Sequence, residues 1–233
     1  MATIREFLTT LGRIIQGYGR FTSFGARTVY HLVTSFPRRR VLFPLAYRIG
    51  VQSLPVVLAT GLSIGMVLAV QMYYQLHRLG SESTSGPIIN ISMIREIGPV
   101  LAAIILAGRV GGAMAAELGT MKITEQIDAI RTLGVNPIRY LVCPRFLSCF
   151  FLIPILTVFS GFIGVIGGYI MAVKVYRIDE AAYWYQSSLY VGPFDICAGV
   201  IKSFFFGALI ALICCYRGFN ARGGAEGVGR GSR

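Results

Sequence analysis

Acidic residues are scarce in this sequence. Ten Asp and Glu stand against 22 Lys and Arg in 233 residues, and charged residues make up only 14% of the chain. The two histidines, His31 and His77, are isolated from each other. No Ser/His/Asp set, paired acid dyad or GK[ST] phosphate loop is present, and the Gly-rich stretch from Gly218 to Gly231 is no exception. The chain is therefore not expected to bind ATP or to catalyse a reaction by itself. Its five cysteines (Cys143, Cys149, Cys197, Cys214, Cys215) include no CxxC pair and have no histidine cluster beside them. That pattern points to apolar packing rather than to a disulfide or a metal.

What the sequence does have is apolar residues, at 55% of the composition and a mean hydropathy of +0.65. Ile49 to Leu76 and Phe146 to Val173 carry no charge. As helices each would span roughly 40 Å, more than the ~30 Å hydrocarbon core of a bilayer. Two further runs, Ile88 to about Leu118 and Phe194 to Tyr216, are interrupted by charge. The expected fold is an all-α polytopic membrane protein: one domain over 1–233 with spans at 49–76, 88–118, 146–173 and 194–216. The first 48 residues hold eight arginines and no continuous apolar core, so a cleavable signal peptide is not expected.

The excess of positive charge could favour nucleic acid, but its placement points to topology. Basic residues gather before the first span, between the second and third (Lys122, Arg131, Arg139, Arg145), and after the fourth. The other two loops hold only Arg78, Lys174 and Arg177. This positive-inside asymmetry implies a cytoplasmic N-terminus, middle loop and tail (217–233), and no nucleic-acid partner.

Residues 1–40 read as a basic interfacial segment. Ile4, Phe7, Leu8, Leu11, Ile14, Ile15, Tyr18 and Phe21 recur at helical spacing, with Arg13, Arg20 and Arg27 every seven residues. Phe36-Pro37 before three arginines marks a break, and Pro55 is expected to kink the first span. Gly61-x-x-x-Gly65, Gly108-x-x-x-Gly112 and Gly164-x-x-x-Gly168 together indicate close helix packing. Tyr183, Trp184, Tyr185 and Tyr190 suit an aromatic belt at the membrane surface.

Two groups of residues carry functional expectations. Between the second and third spans, the segment 119–137 forms a helix from Met121 to Leu133. It has Ile123, Ile127, Ile130 and Leu133 on one face and Lys122, Glu125, Asp128 and Arg131 on the other. Such a helix suits docking of a soluble partner. Within the spans, Arg95, Glu96 and Lys202 fall at similar depth. They either share a polar cavity or snorkel to headgroups with Glu96 neutralising one cation. Arg109 and Glu117 read as structural partners or as the lining of an inner vestibule, and Asp195 as a helix N-terminal charge.

The stretches Gly65–Gln71, Ile94–Arg145 and Ile201–Ser203 resemble the MlaE/YrbE permease family, the membrane subunits of ABC-type phospholipid transporters associated with MCE proteins. The resemblance implies a homodimer in the bacterial inner membrane. It also implies a cytoplasmic ABC ATPase that binds the ATP and Mg, an MCE-domain periplasmic protein and a STAS-domain partner. By the same resemblance Arg95, Glu96, Lys202, Tyr73, Tyr74 and Leu76 surround a lipid cavity, while Glu117, Lys122, Glu125, Asp128 and Arg131 couple to the ATPase. Members of the family continue after GVGR with one more membrane helix, so a sequence ending Arg230-Gly-Ser-Arg is expected to be truncated or to carry foreign terminal residues. Two other classes remain open at this stage: a secondary transporter of a small anion, and a membrane scaffold that transports nothing.

Overall fold

The computed structural model describes residues 2–34 and 39–221. Helix α1 is Ala2–Thr34, α2 Arg39–Gly50, α3 Leu54–His77 and α4 Ser85–Ile123; α5 is Gln126–Thr132, α6 Ile138–Val175, α7 Glu180–Tyr190 and α8 Pro193–Phe219. Among the described residues, four helical runs are long and apolar enough to cross a membrane: Arg40–His77, Ser85–Ile123, Ile138–Val175 and Pro193–Phe219. The chain is an all-α, multi-pass membrane protein.

Each run is longer than its uncharged core, because helices continue past the hydrocarbon into water, where charge is tolerated. Pro55 follows directly on a break within the run Arg40–His77 rather than lying inside a continuous helix. It sits in the first turn of α3, where its missing N–H has no helical acceptor to serve, and the interruption falls at 51–53 between α2 and α3. The Phe36-Pro37 break and the tail beyond 221 lie outside the described residues.

Helix α6 is the centre of the bundle, with α3, α4, α8 and α2 around it. In lipid the hydrophobic effect does not drive helices together, so close backbone approach and van der Waals contact must do so. Gly65 lies so close to Gly164 that a Cβ there would overlap its carbonyl, and one on Gly61 would come within 2.7 Å of the Ser160 carbonyl oxygen. The space over Gly164 is filled by Met93 of α4, which is fully buried, and the space over Gly168 by Ile89. The Gly108-x-x-x-Gly112 motif does not work this way. Gly108 faces open space, and its neighbour Gly111 meets the Cys214 sulfur of α8 instead. Cys143, Cys149 and Cys215 are buried among apolar side chains, whereas Cys197 is exposed.

Helix α1 docks across one end of the bundle. Phe24 packs against Tyr216 and Phe219 of α8, the Thr28 carbonyl accepts from the Cys143 thiol, and His31 lies 3.0 Å from the Asn136 side-chain amide. The opposite end is capped by α7, a helix that sequence patterning reads only as a loop. There Tyr183 is a core residue rather than part of an aromatic belt. Its hydroxyl donates to Asn90 Oδ1 (3.1 Å), Asn90 Nδ2 donates to Ser187 Oγ (3.0 Å), and Ser187 Oγ donates to the Tyr183 carbonyl (2.7 Å). Burial pushes the Tyr183 phenol up to about 12, so it remains a donor throughout the neutral range. Trp184, Tyr185 and Tyr190 are exposed.

Gly65→Leu meets backbone rather than a flexible side chain, so it should cost about 1–3 kcal/mol or more and lower the melting temperature in detergent. Gly108→Ala, into open space, should leave that temperature unchanged or raise it slightly. Asn90→Leu leaves the buried Tyr183 hydroxyl without its acceptor and should cost about 1–3 kcal/mol, read in the same thermal assay.

Candidate functional site

Arg95, Glu96 and Lys202 come together where α4 meets α8. The closest approach is at Gly199, whose missing Cβ leaves room for the Ile94 carbonyl. Asp195, Gly199 and Lys202 recur at four and three residues, so they share one face of α8. Lys202 Nζ lies 2.5 Å from Glu96 Oε1, Arg95 Nη1 lies 3.3 Å from Asp195 Oδ1, and Arg95 Nε lies 3.6 Å from Glu96. Asp195 also accepts the Gly192 N–H at the start of α8 (3.0 Å), so its helix N-terminal role and its pairing with Arg95 coexist.

The backbone of α4 takes part in the cluster. Pro99 lacks the N–H that would bond the Arg95 carbonyl in a regular helix, and residues Ser92–Ile97 form a widened π turn in which the Gly98 N–H reaches Met93. The freed Arg95 carbonyl accepts from Lys202 Nζ at 3.3 Å. Pro99 thus orients Lys202 from the neighbouring helix. The sequence signal was present, a proline four residues after an intramembrane arginine, as was Asp195 at helical spacing from Lys202; neither entered the sequence-based site.

Taken together, the cluster offers two cations and two carboxylates, and the side chains of Arg95, Glu96 and Lys202 are each about half exposed. Beside it runs an apolar cleft of about 220 Å³ lined by Ile94, Phe162, Val165, Ile196, Gly199 and Val200, among others. The arrangement can bind a headgroup that carries charge and lay an apolar chain alongside.

Tyr73, Tyr74 and Leu76 lie elsewhere, at the α7 end of α3. Tyr73 stacks on Tyr176 with ring centres 3.9 Å apart and on His77, while Tyr74 is exposed over a shallow depression with Gln75, Arg78 and Leu79. Among the described residues no ion pair, hydrogen bond or aromatic contact joins this group to the Arg95 cluster within one chain.

The segment after α4 differs from a single helix over Met121–Leu133. Glu125 has φ +59°, a left-handed conformation that ends α4 and starts α5 at a sharp corner. The apolar face is therefore divided. Ile127 is fully buried, and it and Ile130 pack with Leu118, Leu141, Val142 and Cys215, whereas Ile123 and Leu133 point outward and Leu133 is 79% exposed. Asp128 holds the corner, meeting Lys122 Nζ at 2.7 Å and Arg131 Nη1 at 3.2 Å. The Lys122 hydrogen bond keeps the Asp128 carboxyl below its ordinary value of 3.8. This pairing is present above that value and is lost only as pH falls through the lowered one, so it is intact at neutral pH. Glu125 makes no ion pair among the described residues and is exposed, as is Leu133 at the other end of α5. Glu117 lies further back on α4, where it pairs with buried Arg145 at 3.2 Å and stands 4.0 Å from Arg48.

Known proteins share this sequence over most of its length. The profile of the family described as Permease MlaE matches residues 42–233. A probable ABC transporter permease protein of Rickettsia prowazekii is 43% identical over 192 residues, covering 82% of this chain and 72% of its own. The intermembrane phospholipid transport system permease protein MlaE of Haemophilus influenzae is 33% identical over 230 residues, covering 97% of this chain and 88% of its own. The chloroplastic protein TRIGALACTOSYLDIACYLGLYCEROL 1 of Arabidopsis thaliana is 38% identical over 182 residues, covering 78% of this chain and 52% of its own. With a match across the four membrane helices, the α4–α5 corner and the Arg95 cluster, the chain belongs to the MlaE permease family.

Proposed function

We propose that this chain is the permease subunit of an ATP-driven ABC transporter that moves phospholipids between the inner membrane and the periplasm or outer membrane. The observation that carries the reading is the Arg95–Glu96–Lys202–Asp195 cluster beside an apolar cleft. Guanidinium and ammonium groups bind phosphate by charge-assisted hydrogen bonds, which strengthen as water is excluded. The cluster pairs each cation with a carboxylate, which suits a headgroup bearing both phosphate and ammonium. The name of the Haemophilus relative supports phospholipid as the cargo.

In this reading two copies of the chain enclose the lipid path. Tyr73, Tyr74 and Leu76 of one copy supply apolar wall that a single chain does not bring to the charges. A cytoplasmic ABC ATPase binds ATP and Mg and grips the α4–α5 corner. An MCE-domain protein receives or delivers lipid on the periplasmic side, and a STAS-domain protein completes the assembly. The N-terminus and α1 lie on the cytoplasmic face, in line with the distribution of basic residues. Closure of the ATPases pushes the corner, and α4 carries the displacement along its length to Arg95 and Glu96. No chemical step falls to this chain; its work is binding and relay.

The cavity is tested by Arg95→Ala combined with Lys202→Ala, which should lower phospholipid co-purified in mild detergent by about ten-fold, read by mass spectrometry. Wild-type lipid occupancy in that variant would remove the cavity from this position. The docking corner is tested by Glu125→Lys with Leu133→Asp. Both side chains are exposed, so the melting temperature should hold while co-purification of the ATPase is lost. Asp128→Lys should instead loosen the corner itself and lower both. If the Glu125/Leu133 variant retains its ATPase, the corner is not the coupling element.

A further inference from the structure

We propose that a cavity between α2 and the second half of α4 is a separate phosphate-binding site, filled either by a phospholipid headgroup or by free phosphate. The cavity, of about 160 Å³, is bordered by Arg48, Gln52, Ser53, Arg109 and Glu117, with Leu45, Ile49 and Met114 among its apolar walls. The one carboxylate on its border, Glu117, is already engaged by buried Arg145 at 3.2 Å and stands 4.0 Å from Arg48, so the two arginines that border the cavity, Arg48 and Arg109, outnumber the acid left for them.

One charged group bordering the cavity has no counterpart among the described residues. Arg109 makes no ion pair or hydrogen bond among the described residues although it lies inside the span Ser85–Ile123. A lone cation at that depth is costly and calls for a counter-charge. It is also carried by a second widened turn of α4, Ala107–Gly111, which redirects side chains relative to a regular helix. Ser53 borders the cavity but is only 1% exposed, and its hydroxyl has no hydrogen-bond partner among the described residues. A phosphate answers that need for a counter-charge: its oxygens accept from the guanidinium forks of Arg48 and Arg109 and from the Gln52 amide, all of which border the cavity. The Arg95 cluster differs, since there every cation already has a carboxylate. The surplus of positive charge here selects an anionic ligand, and the apolar wall leaves room for what is attached to it. The proposal holds whether or not the Arg95 cluster binds lipid.

The test uses the full chain with its native partners in neutral detergent. Native mass spectrometry follows the binding of phosphatidylglycerol, with diacylglycerol as the phosphate-free control and inorganic phosphate as competitor. Arg48→Gln with Arg109→Gln should weaken one bound phosphatidylglycerol by about ten-fold or more while diacylglycerol binding stays the same. Arg95→Ala with Lys202→Ala should leave that same molecule in place, which separates this site from the proposed transport cavity. Competition by inorganic phosphate assigns the site to free phosphate, and resistance to it assigns a lipid headgroup; either result supports the proposal. Wild-type affinity in the Arg48/Arg109 variant overturns it, as does diacylglycerol binding as tightly as phosphatidylglycerol. Should that variant fail to fold, Arg48→Gln alone decides. The Arg48 side chain is exposed, so the ligand-free melting temperature should hold while phosphatidylglycerol affinity falls several-fold, and unchanged affinity counts against the site.

Discussion

The bundle depends on the contact of two backbones, α3 and α6, at Gly61, Gly65, Ser160 and Gly164. In water, apolar faces would bring these helices together; in lipid they gain little by leaving their neighbours. Only close approach, with many weak contacts over a small area, holds them, and a single side chain at Gly65 would abolish it. The same contact sets the position of α4. Met93 fills the room over Gly164, which fixes the turn of α4 that carries Ile94, Arg95 and Glu96. Gly199 then lets α8 close over the Ile94 carbonyl, and Lys202, one turn on, reaches Glu96. A row of missing methyl groups thus determines where the intramembrane charges meet.

Charge within the bundle is handled in two ways. Where α4 meets α8, carboxylates and cations match in number, and the carbonyl freed by Pro99 takes up one more donor. Around Glu117 they do not match, and cations exceed acids. The first arrangement is stable alone and yet half exposed; the second leaves donors unsatisfied. Because α4 contributes to both and continues into the corner at Glu125, one helical run links both charged sites to that corner. Widened turns at Ser92–Ile97 and Ala107–Gly111 interrupt its regular hydrogen bonding beside each charged site. Such turns make local adjustment cheaper than bending a regular helix.

Much of this was legible in the sequence, for definable reasons. Length of apolar run and the absence of charge identify membrane helices without reference to any partner, and all four expected spans occur. Similar depth of Arg95, Glu96 and Lys202 follows from residue counting, since rise per residue is constant. Counting does not show which faces meet, so Asp195 and Pro99 were missed as members of the same cluster. Amphipathic spacing singled out the segment after α4, but periodicity assumes one continuous helix; Glu125 in a left-handed conformation divides it, with Ile127 inward and Leu133 outward. Tyr183 was read as a surface aromatic because aromatics crowd that loop, while its burial depends on Asn90, 93 residues away.

The sequence by itself determined that the chain is helical, lies in a membrane and carries charge within its spans, because those properties depend on composition and local spacing. The tertiary structure alone decided which charges are paired and which are left over. Pairing depends on where two helices come closest, and that point is set by glycines whose neighbours lie far away along the chain. Arg95 and Arg109 look alike as intramembrane arginines in one stretch of sequence, and only packing gives one of them an acid.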